Sequence, residues 1–158
     1  MKPSWRTGLS FGLTSGVITT LGLMVGLHAG THSRTAVLGG ILTIAVADAL
    51  SDAMGMHLAE ESKHTASALE IWESTAATFV AKLGIALSFA VPVMMTDLPT
   101  AVVISVLWGV LLLAVLSLFM ARAQRIAPWK VIGEHLLIML CVVALSHYVG
   151  EWVKDLTR

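Results

Sequence analysis

Five apolar runs, at positions 8–27, 36–58, 75–95, 100–121 and 131–150, dominate the chain. Each is close to the ~20 residues that an α-helix needs to cross the hydrocarbon layer of a bilayer. Membrane-crossing strands are far shorter and alternate apolar with polar side chains, a pattern not found here. Of the 158 residues, 56% are hydrophobic and 13% charged. Soluble domains carry about 25% charged residues, so the low value points the same way. The expected fold is all-α, a single integral membrane domain of five transmembrane helices over residues 1–158.

The first run has some marks of a secretory leader, with Lys2 and Arg6 before it and small residues at Ala29 and Gly30. It is longer than the ~7–15 apolar residues of a leader's core, so a retained first helix is expected. Ten basic and ten acidic residues give no net charge, which argues against nucleic acid as a partner. A single cysteine, Cys141, builds neither a disulfide framework nor a thiolate metal site within one chain.

Basic residues set the expected orientation. With the N-terminus in the cytoplasm, Lys2, Arg6, Lys63, Arg122, Arg125 and Lys130 lie on inner segments, against Arg34, Lys154 and Arg158 outside. Lys82 falls within the third run, where it either snorkels or pairs with an acid. Gly8, Gly12 and Gly16, and again Gly22, Gly26 and Gly30, recur every four residues in the first helix. That spacing predicts close approach of a second backbone, within one subunit or between two. Pro92 and Pro99 are expected to kink or end the third helix and to start the fourth. The polar link 59–74 has no Pro or Gly and could prolong both helices that flank it.

Asp48, Asp52, Met56 and Glu60 follow one another at four-residue spacing, which predicts one stripe along the second helix. Acids inside a bilayer are costly and tend to mark ion or proton pathways. Two carboxylates one turn apart repel unless one is protonated or both share a cation, which gives a basis for exchange of metal against protons. The Met56 thioether would suit Fe²⁺ better than Ca²⁺ or Mg²⁺. The plainer alternative is that the aspartates accept hydrogen bonds from Ser and Thr of neighbouring helices. His57, Glu61 and His64 share a helical face and could collect a transition metal at the inner mouth, joined by Glu134 and by Glu70 and Glu73. A solvated helical link is the competing explanation there. His147 and Glu151, four apart near the outer end, are expected to anchor at the interface with Tyr148 and Trp152, and His28 and His32 fall in the outer turn.

The stretch Phe11-Gly-Leu-Thr-Ser-Gly-Val-Ile-Thr-Thr-Leu-Gly-Leu-Met-Val-Gly-Leu resembles the first helix of the vacuolar iron transporters. Ala47-Asp-Ala-Leu-Ser-Asp-Ala-Met-Gly-Met-His resembles their second. The resemblance implies five helices, a cytoplasmic N-terminus, a homodimer, and export of Fe²⁺ or Mn²⁺ from the cytoplasm against protons. The chain departs from that pattern at Phe11 and Met56, where the family usually has acids, and its 59–74 link is too short for the family's cytoplasmic metal-binding helices. Asp48 and Asp52 are its own additions.

The expected function is transport of a divalent transition metal as cargo, with protons and the bilayer as further partners and no resident cofactor. No phosphate-cradling loop, nucleophile elbow or zincin motif is present, so an enzyme is not expected. The alternative is a non-transporting metal sensor, or a helical scaffold subunit in which the acids act as interhelical glue.

Overall fold

A computed structural model describes residues 2–63 and 65–157. It contains five helices in chain order: α1 (Pro3–Thr31), α2 (Arg34–Glu61), α3 (Ala68–Met95), α4 (Leu98–Gln124) and α5 (Pro128–Leu156). All five are long and apolar enough to cross a membrane. Each of the five apolar runs lies inside one helix, and most helices extend beyond their run at both ends. The polar turns that flank a span continue the helix through the headgroup layer, where water still solvates the chain. The link between α2 and α3 shortens to 62–67, because both helices run on into it as expected.

The helix ends follow from local chemistry. Ser67 accepts from the Glu70 backbone N–H while Glu70 reaches back to the Ser67 N–H, a reciprocal capping box that starts α3. Asp97 starts α4 by accepting from the Thr100 N–H, with Pro99 in the first turn, where its missing N–H costs nothing. The hydrogen bond from the Thr100 amide holds the Asp97 carboxyl below its usual range. Pro92 does not end α3; the helix continues to Met95. One lost backbone bond is tolerated there, and the Pro92 carbonyl accepts from both the backbone N–H and the hydroxyl of Thr96.

Helix α1 is the hub and packs against all four others, whereas α2 packs on α1 and α3, and α5 on α1 and α4. The two glycine rows explain how. Gly8, Gly12 and Gly16 meet α3 at Ser74, Thr78 and Lys82, while Gly22, Gly26 and Gly30 meet α5 at Val142, Ser146 and Gly150. Both close approaches are therefore made within one chain. A methyl group at Gly12 would sit 2.5 Å from the Thr78 carbonyl oxygen. Gly12→Ala is expected to push α1 off α3 and to destabilise by about 1–3 kcal/mol, the usual range for overpacking. Gly84→Ala, with open space around it, should change stability by less than about 0.5 kcal/mol. Thermal unfolding in detergent compares the two; equal shifts would mean that the α1–α3 contact is not this tight.

Two apolar clusters fill the bundle. One joins Met24, Val37, Ile41, Val93 and Ala101; the other joins Val17, Leu21, Phe89, Leu113 and Met139. The outer faces stay apolar as well. On α2, Leu42, Val46, Leu50, Met54 and Leu58 form an exposed row, which suits lipid and would be untenable in water.

Candidate functional site

At the middle of the bundle a lysine lies between two aspartates. Lys82 is 1% exposed, the largest fully buried side chain described. Its ammonium is 2.6 Å from Asp48 Oδ2 and in direct contact with Asp52 Oδ2. It also donates to Ser15 Oγ at 2.9 Å. The Ser15 hydroxyl in turn donates to Asp52 at 2.7 Å, and the Thr19 hydroxyl donates to Asp48 at 2.9 Å. Three helices thus converge on one polar knot.

The register explains the knot. Helices α1 and α2 run antiparallel, so Ser15 and Thr19, one turn apart, face Asp52 and Asp48 in reverse order. Helix α3 enters alongside because Gly16 brings it close: a methyl there would lie 3.4 Å from the Lys82 Cα. With the backbones this near, the lysine stem spans the gap and its charge stays inside. Of the two expectations for Lys82, pairing holds and snorkelling does not. The hydroxyl bonds to the aspartates are present too, as the plainer alternative anticipated.

The arrangement satisfies the ammonium well. Burying an unpaired charge costs several kcal/mol, which good geometry and further hydrogen bonds can offset. Here two carboxylates and a hydroxyl surround it. The carboxylates are less enclosed, at 26% and 21% side-chain exposure for Asp48 and Asp52. The neighbouring positions on their open side, Ser51 and Gly55, are both exposed. When ionised, two carboxylates and one ammonium leave one negative charge.

The four-residue stripe on α2 does not stay on one face. An α-helix turns about 100° per residue, so each four-residue step drifts about 40°. Asp48 and Asp52 lie at the edge beside α1, whereas Met56 and Glu60 have rotated into the bundle and are buried. Glu60 pairs with Lys63 at 2.6 Å. His57 lies on another side of the helix, its Nδ1 3.1 Å from the Thr75 hydroxyl and its ring edge-on to Trp72. Glu61 is exposed, and His64 lies outside the described residues. Glu134 is exposed on α5, which packs on α1 and α4 rather than on α2 or α3. Glu70 is engaged in its capping box, and Glu73 accepts from Lys2 at 2.5 Å and from Ser4 at 2.6 Å. Among the described residues, the expected inner vestibule is therefore dispersed. Among the described residues, no group of three or more His, Cys, Asp and Glu side chains is placed to hold a metal ion.

No family model matches this chain, and no curated protein matches it either. The site therefore stands on its own geometry. Near the opposite end, His28 and His32 have ring centroids 5.3 Å apart, and His147 lies 3.7 Å from Glu151 in an exposed pair.

Three residues of the knot were missing from the expected site: Ser15, Thr19 and Lys82. Lys82 carried a readable signal, being the one charged residue in the run 75–95. Ser15 and Thr19 were readable only as a pair, their spacing matching that of the two aspartates.

Proposed function

We propose that this chain is a membrane carrier for a divalent transition metal, exchanged against protons at the knot formed by Asp48, Asp52 and Lys82. The observation that carries the reading is the mid-membrane pair of carboxylates, partly open, facing a single buried ammonium. Unbalanced negative charge is costly in a bilayer unless a cation visits it. In this reading Lys82 holds the site when cargo is absent. An arriving ion takes over the carboxylate oxygens, with the Ser15 and Thr19 hydroxyls as adjoining donors.

This donor set is all oxygen. Of Fe²⁺ and Mn²⁺, it suits Mn²⁺ better, because the Met56 thioether has turned into the bundle. The cation excess at the N-terminal end supports a cytoplasmic N-terminus and outward movement of the metal. A homodimer, as the resemblance to vacuolar iron transporters implies, would bring a second set of donors.

A second reading has its own observation in favour. The knot ties α1, α2 and α3 together through five side chains, as a scaffold or a sensor would require. Purified protein in sealed vesicles separates the two. A Mn²⁺ gradient should drive metal across the membrane with counter-movement of protons, followed by a trapped pH indicator. Metal and proton traces equal to those of protein-free vesicles would leave only the structural role.

A further inference from the structure

Charge is unevenly distributed over the end of the bundle that holds the N-terminus. The starts of α1, α3 and α5 and the ends of α2 and α4 meet there, as the chain order requires. On the α2–α3 side acids predominate: Glu73 pairs with Lys2 and Glu60 with Lys63, and the exposed Glu61 and Glu70 stand beside them. On the α1–α4–α5 side stand Arg6, Arg122, Arg125 and Lys130, all exposed. Among the described residues none of these four forms a salt bridge, and Glu134 is the one acid on that flank. Helices α1 and α5 also begin there with no acid in the first turn and no side-chain cap, which adds to the positive field.

Arg6 stands where two grooves meet. One, about 530 Å³, is partly polar and bordered by Ser10, Thr14, Gln124 and His135. The other, about 420 Å³, is bordered by Leu9, Leu13, Leu116 and Phe119. From Arg6 to Leu13 along α1, and from Phe119 to Leu116 along α4, the second groove leads from the helix ends towards the membrane interior. It thus offers a cation at headgroup depth and an apolar channel beneath it. Trp5 and Trp129, exposed at the same end, fit the aromatic belt that marks this depth.

We propose that this flank is a binding site for an anionic phospholipid, its phosphate held by Arg6 and one acyl chain lying in the groove between α1 and α4. Charge complementarity selects the occupant. Unpaired basic groups beside a bilayer attract acidic headgroups, and basic pockets between helices bind them in place. A zwitterionic lipid would leave the excess positive charge unbalanced. The site is independent of the knot around Lys82 and of what that knot carries.

The test uses the full chain in nanodiscs made from mixed phosphatidylglycerol and phosphatidylcholine, with retained lipid identified by native mass spectrometry. Wild-type protein should retain phosphatidylglycerol above its share of the mixture. Arg6→Gln should lower that enrichment about five-fold, the loss expected for one basic residue at an anionic surface, and Arg6→Lys should keep most of it. Lys154→Gln, at the opposite end, should leave it unchanged. Leu116→Trp fills the apolar limb with Arg6 in place and should also lower retention. Enrichment equal in wild type and Arg6→Gln overturns the proposal, as does no enrichment at all. Undiminished retention in Leu116→Trp would show that no acyl chain lies in the groove. Displacement of the lipid by millimolar inorganic phosphate would mark a free-anion site instead and overturn it as well.

Discussion

Lys82→Met should destabilise the protein by on the order of 3 kcal/mol. The lysine is buried and in contact with both aspartates. Removing it leaves two carboxylates facing each other with hydroxyl donors alone. Stripping one partner from a buried ion pair typically costs about 3–5 kcal/mol. The lower end applies because both carboxylates keep some access to the surroundings. The variant that also carries Asp48→Asn and Asp52→Asn removes every charge together and should recover most of the loss, since a matched neutral replacement is often close to neutral in stability. Thermal unfolding of the two variants beside wild type, in one detergent, provides the measurement. If Lys82→Met melts with wild type, the ammonium is not held as described. If the triple variant melts no higher than Lys82→Met, the charge imbalance is not the cause.

The triple variant is also the sharpest probe of transport. It keeps the size and packing of the knot and removes the cation-binding charge. Under the carrier reading, Mn²⁺ flux should fall to the level of empty vesicles while the protein remains folded. The paired Asp48→Asn and Asp52→Asn change alone is a poorer probe, because it strands the Lys82 ammonium in the interior and confounds lost function with lost stability. Wild-type flux in a well-folded triple variant would mean that metal takes another route or none. A scaffold would pass the folding assay with the same triple variant and show no flux before or after the change.

The five helices were legible because membrane spans announce themselves by length and apolarity, and water allows no such runs on its surface. The glycine rows were legible as close contacts, but not their partners, since spacing alone does not say which backbone comes near. The candidate site was half legible. Asp48 and Asp52 stand out as mid-membrane acids, and the place of Lys82 within an apolar run implies snorkelling or pairing with an acid that the sequence does not identify. The pairing of Lys82 with both aspartates depends on α3 approaching α1 at Gly16, a tertiary fact. The expected inclusion of Met56 and Glu60 failed because a four-residue period drifts around a helix with 3.6 residues per turn. The expected vestibule of His57, Glu61 and Glu134 did not form because Glu134 lies on α5, which packs on α1 and α4 and not on α2, and because Thr75 and Trp72 engage His57.

The order of synthesis gives the knot one more consequence. Asp52 leaves the ribosome 30 residues ahead of the lysine that balances it. A newly inserted hairpin of α1 and α2 therefore holds two acids at its centre, with the Ser15 and Thr19 hydroxyls as their first partners. An aspartate at the centre of a lone inserting helix costs about 2.5–3.5 kcal/mol on insertion scales. Helix α2 is thus a reluctant tenant of the bilayer until α3 arrives, and any factor that delays the third helix leaves the nascent hairpin as the weak point in biogenesis.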